Sequence, residues 1–87
     1  MAKVEIYTTM MCGFCSAAKQ LLKKKGVPFT EIDVMLKPGV HREMIERAGG
    51  QTSVPQIFID DAHIGGCDEL YLLEQRKHLD PMLEGKS

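Results

Sequence analysis

The sequence predicts a small α/β domain, a four-stranded mixed sheet flanked by helices in the order β-α-β-α-β-β-α. Three observations carry this. The apolar positions switch from strand alternation (Val4, Ile6, Thr8) to helical spacing (Ala17, Ala18, Leu21, Leu22) and back to a strand near Ile32. Residues 56–64 hold two short apolar runs separated by Asp60-Asp61, which is the pattern of an antiparallel hairpin. The chain of 87 residues is long enough for one modest core and too short to divide, so residues 1–87 are expected to form one domain.

In order along the chain, residues 3–8 read as a strand and residues 16–25 as the body of a helix stopped by Gly26 and Pro28. Phe29, Ile32 and Val34 mark the second strand, and two strands joined by such a helix form a parallel unit. The next helix opens near Lys37-Pro38-Gly39, with proline in its first turn. It sets Val40, Met44, Ile45 and Ala48 on one face and His41, Arg42, Glu43, Glu46 and Arg47 on the other, and Gly49-Gly50 ends it. After the hairpin and Gly65-Gly66, Asp68 and Glu69 open a last helix that holds Leu70, Leu72, Leu73 and Leu79. Asp80-Pro81 is expected to interrupt it, leaving Met82-Leu83 as a short terminal turn.

A net charge of −1 with 26% charged residues gives no basis for binding nucleic acid or an acidic membrane. The dense basic run, residues 23–25, reads as the solvated end of a helix, where cations suit the dipole. No segment approaches the roughly 18 apolar residues of a membrane span, and none resembles a signal peptide. A soluble protein of a reducing, cytoplasmic compartment is expected. Three cysteines beside 44% hydrophobic residues do not form the even-numbered framework of a small secreted domain.

Cys12 and Cys15 form a C-x-x-C pair on the turn between the first strand and the first helix. Backbone N–H groups at a helix N-terminus favour a thiolate, and the more N-terminal sulfur points outward. Cys12 is therefore the expected nucleophile and Cys15 the resolving thiol. The competing use of these residues is a zinc site of Cys12, Cys15, Cys67 and His63. A C-x-x-C that follows a strand in a βαβ unit favours the redox reading. His41, His63 and His78 follow no catalytic spacing and read as surface or turn residues, while Met10 and Met11 read as partly exposed lip residues beside the thiol.

Two further segments carry information. Pro55, just before an apolar strand, reads by itself as a strand-start residue with a trans bond; a cis bond would leave the Val54 backbone open to an extended peptide-like ligand. Gly65-Gly66-Cys67-Asp68 reads either as a tight turn with a helix cap or as an anion-binding helix N-terminus beside a carboxylate. The second arrangement suits a ligand end bearing both an α-carboxylate and an α-ammonium group. Cys67 reads as a small buried or half-buried residue of the turn.

Together C-G-F-C, T-S-V-P and G-G-C-D, in this order, make residues 4–83 resemble a glutaredoxin, in particular the short dithiol bacterial kind. The resemblance implies a thioredoxin-like fold, a cis Val54-Pro55 bond, and glutathione as ligand and reductant. By position it implies that Cys12 attacks, that Val54 pairs with the cysteinyl backbone of glutathione, and that Cys67 and Asp68 hold the γ-glutamyl end. Thr9, Phe14, Gln51, Ser53, Pro55 and Gly66 complete the implied glutathione site, with Gln51 near the glycyl carboxylate.

The chain departs from the family at two places. Thr9 stands where the family commonly has a lysine, which leaves more of the thiolate stabilisation to the helix N-terminus. Gly13-Phe14 replaces the frequent Pro-Tyr, and Gly13 also resembles the C-G-F-S glutaredoxins that hold an iron-sulfur cluster between two subunits. The function expected from the sequence is a glutathione-dependent thiol-disulfide oxidoreductase acting as a monomer on glutathionylated or disulfide-containing proteins. The alternative is an iron-sulfur cluster carrier using Cys12 and glutathione as ligands.

Overall fold

A computed structural model describes residues 2–84. Its elements are β1 (Val4–Thr8), α1 (Gly13–Lys24), β2 (Thr30–Asp33), α2 (Val40–Arg47), β3 (Gln56–Ile59), β4 (Ala62–Gly65), α3 (Cys67–Gln75) and α4 (Leu79–Leu83). The sheet runs β2-β1-β3-β4, with β1 and β2 parallel and the other pairs antiparallel. This is the thioredoxin-like arrangement, a four-stranded mixed sheet flanked by helices. Among the described residues no helix is long and apolar enough to cross a membrane.

Both faces of the two central strands are covered, so alternation sorts their side chains between two cores. Val4, Ile6, Ile57 and Ile59 meet Ala18, Leu21 and Leu22 of α1, Leu70 of α3, and Leu79 and Leu83 of α4. Tyr7 and Phe58 face the other way and pack edge to face, 5.7 Å apart, in a second cluster with Val34, Met44 and Ala48. Each fully buried side chain of this size contributes about 1.5–3 kcal/mol of transfer free energy. Tyr7, although it alternates with the larger core residues, is fully buried because its hydroxyl donates to Glu43 at 2.7 Å.

The pairing also gathers three loops at one end of the sheet. β1 and β3 are antiparallel, with Tyr7 opposite Gln56, so the loop after β1 lies beside the segment that precedes β3. β4 returns with Gly65 opposite Ile57, which brings the start of α3 to the same end. The two cysteines, Val54-Pro55 and Gly66-Cys67 are neighbours for this topological reason.

Four details depart from the sequence expectations. First, α1 begins at Gly13 and not at Ser16, because Cys12 serves as its N-cap. Second, Pro38 precedes α2, whose N-cap is Gly39 at φ 92°. Third, Arg47 does not lie on a solvated face. Its guanidinium sits 4.0 Å from the Phe58 ring centre and donates to Glu5 at 2.9 Å and to the Tyr7 hydroxyl at 2.9 Å. An arginine can cover an aromatic face and satisfy a carboxylate at once, which helical periodicity does not reveal.

The fourth departure is the break in the last helix, which falls before Asp80-Pro81. α3 ends where Lys77, at φ 62°, donates to the Glu74 carbonyl and His78 donates to the Leu73 carbonyl, the paired bonds of a left-handed helix stop. Pro81 then lies inside α4, in its first turn, where its missing N–H costs nothing. The Lys25 ammonium bridges the break, 2.6 Å from Glu74 and 3.0 Å from Asp80.

The same helix stop closes α1 with Gly26 at φ 72°, a conformation that glycine adopts without strain. Gly26→Ala should therefore lower stability by about 1 kcal/mol, although a Cβ there would meet no atom within 4 Å. Lys77→Gly should raise it by roughly 0.5–1 kcal/mol for the opposite reason. Urea unfolding of the two variants checks the pair, and shifts of the same sign would contradict the account.

Candidate active site

After β1 the chain turns through Met11, at φ 59°, and enters α1 with Cys12 in an extended conformation at φ −101° and ψ 110°. An N-cap side chain normally offers an oxygen to the free N–H groups of the first turn. Here the acceptor is sulfur: Cys12 Sγ takes the Cys15 N–H at 3.1 Å. The Cys12 carbonyl accepts the Ser16 N–H at 3.1 Å, so this residue fixes the helix start with both backbone and side chain. The thiol lies 3.9 Å from the Val54 carbonyl oxygen, to which its S–H donates.

The two thiols are chemically unequal. Cys12 is half-buried, whereas Cys15 keeps 1% of its surface exposed. Burial, followed by its hydrogen bond to Cys12, pushes the Cys15 thiol up to about 12. Cys15 is thus held as the neutral thiol at neutral pH. Cys67 is also a buried free thiol, and burial, then the Asp68 carboxylate, raises its pKa above the ordinary thiol range.

Beside Cys12 runs an open groove of about 220 Å³. Ser53, Val54 and Pro55 line it from the segment before β3, Gly66, Cys67, Asp68 and Glu69 from the start of α3, and Phe14 from the start of α1. Val54-Pro55 is cis. Seven of the residues singled out from the sequence, Phe14, Ser53, Val54, Pro55, Gly66, Cys67 and Asp68, line this one groove. Thr9 does not; it lines a separate hollow of about 200 Å³ across the thiol pair, with Cys12, Cys15, Lys19 and Glu31. In that hollow Lys19 and the Thr8 hydroxyl, each donating to Glu31, hold its carboxyl below the usual range. Gln51 is exposed outside the groove and accepts from Gln56 Nε2 at 3.2 Å.

Two positioning residues escaped the sequence reading. Gln56 is buried at the start of β3 and donates through Nε2 to the Ser53 carbonyl at 3.0 Å, which ties down one wall of the groove. Its Oε1 lies 2.6 Å from Nε2 of His63, so the donor on that ring nitrogen completes the chain. His63, its ring tilted against Phe58 with centres 5.1 Å apart, is a half-buried part of this network and not a free surface residue. On the opposite wall Glu69 Oε1 accepts the Gly66 N–H at 2.6 Å. Glu69 three residues after the N-cap was a legible signal for this bond. A polar residue at the first position of an apolar strand gave no comparable signal for Gln56.

The zinc set is not assembled: among the described residues no three His, Cys, Asp or Glu side chains stand together so as to hold a metal ion. Met10 and Met11, expected to be partly exposed beside the thiol, line the hollow with Cys12 and are more exposed than that, the first 78% exposed and the second fully so.

Comparison with known proteins gives a consistent result. The glutaredoxin family model matches residues 4–64. Glutaredoxin 3 of Escherichia coli is 54% identical over 84 residues, covering 97% of this chain and 100% of that protein. The solution structure of a Brucella melitensis glutaredoxin is 46% identical, with a TM-score of 0.84 over 100% of this chain and 95% of that one. A buckwheat glutaredoxin–glutathione complex superposes with a TM-score of 0.88 at 28% identity, covering 97% of this chain and 78% of that one.

The inequality of the thiols is directly measurable. Iodoacetamide at pH 8 should label Cys12 at least about tenfold faster than Cys15 or Cys67 in the reduced native protein. Peptide mass spectrometry reads the order, and equal labelling would contradict it. Because the native pKa of Cys15 lies above its ordinary value of 9.0, at about 12, folding stability is full below pH 9 and falls as pH rises toward 12. Cys15→Ser should lose less stability across that window in urea unfolding, and an unchanged slope would contradict the shift.

Proposed function

The chain belongs to the glutaredoxin family of thiol-disulfide oxidoreductases, and on that premise we propose that its reductant and first ligand is glutathione, with Cys12 as nucleophile and Cys15 as resolving thiol. The observation that carries this reading is the position of the Cys12 sulfur, half-exposed on a helix N-terminus and next to a groove with a peptide backbone on one wall and a second helix N-terminus on the other.

Glutathione matches the groove group by group. Its cysteinyl backbone would pair with Val54, whose N–H has no backbone acceptor among the described residues. Its γ-glutamyl α-carboxylate would meet the N–H groups of Cys67 and Asp68 in the first turn of α3, and its α-ammonium the Asp68 carboxylate. Ser53, Pro55, Phe14 and Gly66 shape the contact. A Cβ on Gly66 would come within 3.3 Å of the Pro55 carbonyl oxygen and narrow the groove. Thr9 and Gln51, outside the groove lining, are left for the glycyl end.

In the cycle, the Cys12 thiolate attacks the glutathione sulfur of a protein–glutathione mixed disulfide. A Cys12–glutathione bond forms as the protein–glutathione bond breaks, and the protein sulfur leaves as a thiolate that takes a proton. A second glutathione thiolate then attacks the bound glutathione sulfur, releasing glutathione disulfide and the Cys12 thiolate. On a protein disulfide, Cys12 forms the mixed disulfide and Cys15, losing its proton, attacks the Cys12 sulfur and frees the protein thiol. Two glutathiones reduce the Cys12–Cys15 bond. Three unpaired thiols suit a reducing, cytoplasmic setting for this cycle.

Cys12→Ser should abolish turnover of a glutathione mixed disulfide, while Cys15→Ser retains it and loses most reduction of protein disulfides. Coupled glutathione reductase assays read both, and substantial activity of Cys12→Ser would sink the assignment. Asp68→Ala should raise the KM for glutathione about tenfold with little change in kcat, as expected when one charge partner of a ligand is removed. An unchanged KM would remove Asp68 from the ligand site.

A further inference from the structure

The two recesses that flank Cys12 carry the same sign of charge as the ligand assigned to them. Among the described residues, the groove is lined by the carboxylates of Asp68 and Glu69 and by no basic side chain. The hollow across the thiol pair is lined by Lys19, Glu31 and Asp33. Its ammonium is already paired, since Lys19 Nζ stands 2.9 Å from Glu31. Asp68, Glu69, Glu31 and Asp33 therefore face the site against Lys19 alone. At neutral pH glutathione brings two more carboxylates and one ammonium.

Both charges of the γ-glutamyl end have partners in the reading above, the Asp68 carboxylate and the first-turn N–H groups of α3. The glycyl carboxylate has no such partner. Thr9 is neutral, and its hydroxyl donates to the Met10 carbonyl at 2.9 Å. Gln51 is neutral as well, and its Oε1 accepts from Gln56 Nε2 at 3.2 Å. His41, from α2, meets the Thr52 carbonyl oxygen with its Nε2 at 2.9 Å. A carboxylate brought to this end gives up water and gains no cation, while the carboxylates of both recesses repel it.

We propose that this site selects against the glycyl carboxylate: its preferred small thiols are glutathione derivatives with that carboxylate masked as an amide, above all an amide carrying an amine. The inference rests on the glutathione reading above and concerns the end of the ligand which that reading leaves without a charged partner. The γ-glutamyl-cysteinyl portion is held as before. An ammonium at the glycyl end then faces carboxylates instead of adding one more, and specificity follows from the repulsion removed as well as the attraction gained. The exchange is unchanged. The Cys12 thiolate attacks the small-thiol sulfur, the new disulfide forms as the bond to the protein sulfur breaks, and the protein thiolate takes a proton.

The test joins one short uncharged peptide by a disulfide to each of four small thiols: glutathione, its glycinamide form, its 2-aminoethyl amide, and glutathione acetylated on the α-amine. Reduced wild-type protein in excess releases the peptide thiol in a single turnover. Each second-order rate constant is divided by that of dithiothreitol on the same disulfide, which removes differences in sulfur reactivity. At low ionic strength the neutral amide should react about twofold faster than glutathione and the aminoethyl amide about fivefold faster. Acetylation should slow the reaction at least about tenfold, because it removes the partner of Asp68. Salt at about 0.5 M should bring the two amides and glutathione within about twofold of one another.

Two variants ask where the discrimination lies. Thr9→Lys and Gln51→Arg each give the glycyl carboxylate a cation, and at least one should turn the order in favour of glutathione. An aminoethyl amide that reacts no faster than glutathione at low salt, or an advantage that salt leaves intact, overturns the proposal. An order unchanged in both variants overturns the placement of the glycyl end at Thr9 and Gln51, and the proposal with it. Equal rates on all four disulfides, the acetylated one included, overturn the glutathione reading itself.

Discussion

The hydrogen bond from the Cys15 N–H to the Cys12 sulfur, 3.1 Å long, is the contact on which the site depends. It makes a thiol do the work of a helix cap, so the start of α1 and the position of the proposed nucleophile are one structural decision. Residues one turn apart on a helix share a face, and the packing of Ala18, Leu21 and Leu22 against the sheet turns that face inward. Cys15 follows it into the core while Cys12, at the margin, keeps access to solvent. Burial holds the second thiol neutral, while the first stays half-buried at the N-cap.

The sheet supplies what the helix end lacks. An isolated C-x-x-C turn would exchange disulfides without choosing among them. The antiparallel returns of β3 and β4 bring two more segments against Cys12, and each is braced from behind: Ser53 by the buried Gln56 amide, Gly66 by the Glu69 carboxylate. Rigid walls on both sides of a weakly held thiol give the groove a fixed shape before a ligand arrives, which reduces the ordering cost of binding.

Much of this was legible in the sequence because it rests on local rules. Strand and helix periods placed the elements to within a few residues, and Gly26 and Gly49-Gly50 marked helix ends through backbone preference alone. The three motifs located nearly all of the groove lining, since each is a short run whose neighbours stay its neighbours in space. What escaped depends on contacts between distant residues. Arg47 looks like a solvated helix charge until Phe58 and Glu5 are brought beneath it. The bond between His63 and Gln56 exists only because β3 and β4 pair. The stop at Lys77 was unreadable for another reason: a lysine in the left-handed region carries no compositional mark, and the proline four residues ahead gave a stronger false signal.

Whether the groove holds the ligand depends first on where glutathione sits. The most direct measurement is a crystal structure of Cys15→Ser with glutathione disulfide-bonded to Cys12. The account predicts its cysteinyl backbone alongside Val54 and its γ-glutamyl carboxylate at the first turn of α3. Glutathione lying instead over Met10 and Met11, with the groove filled only by solvent, would contradict it.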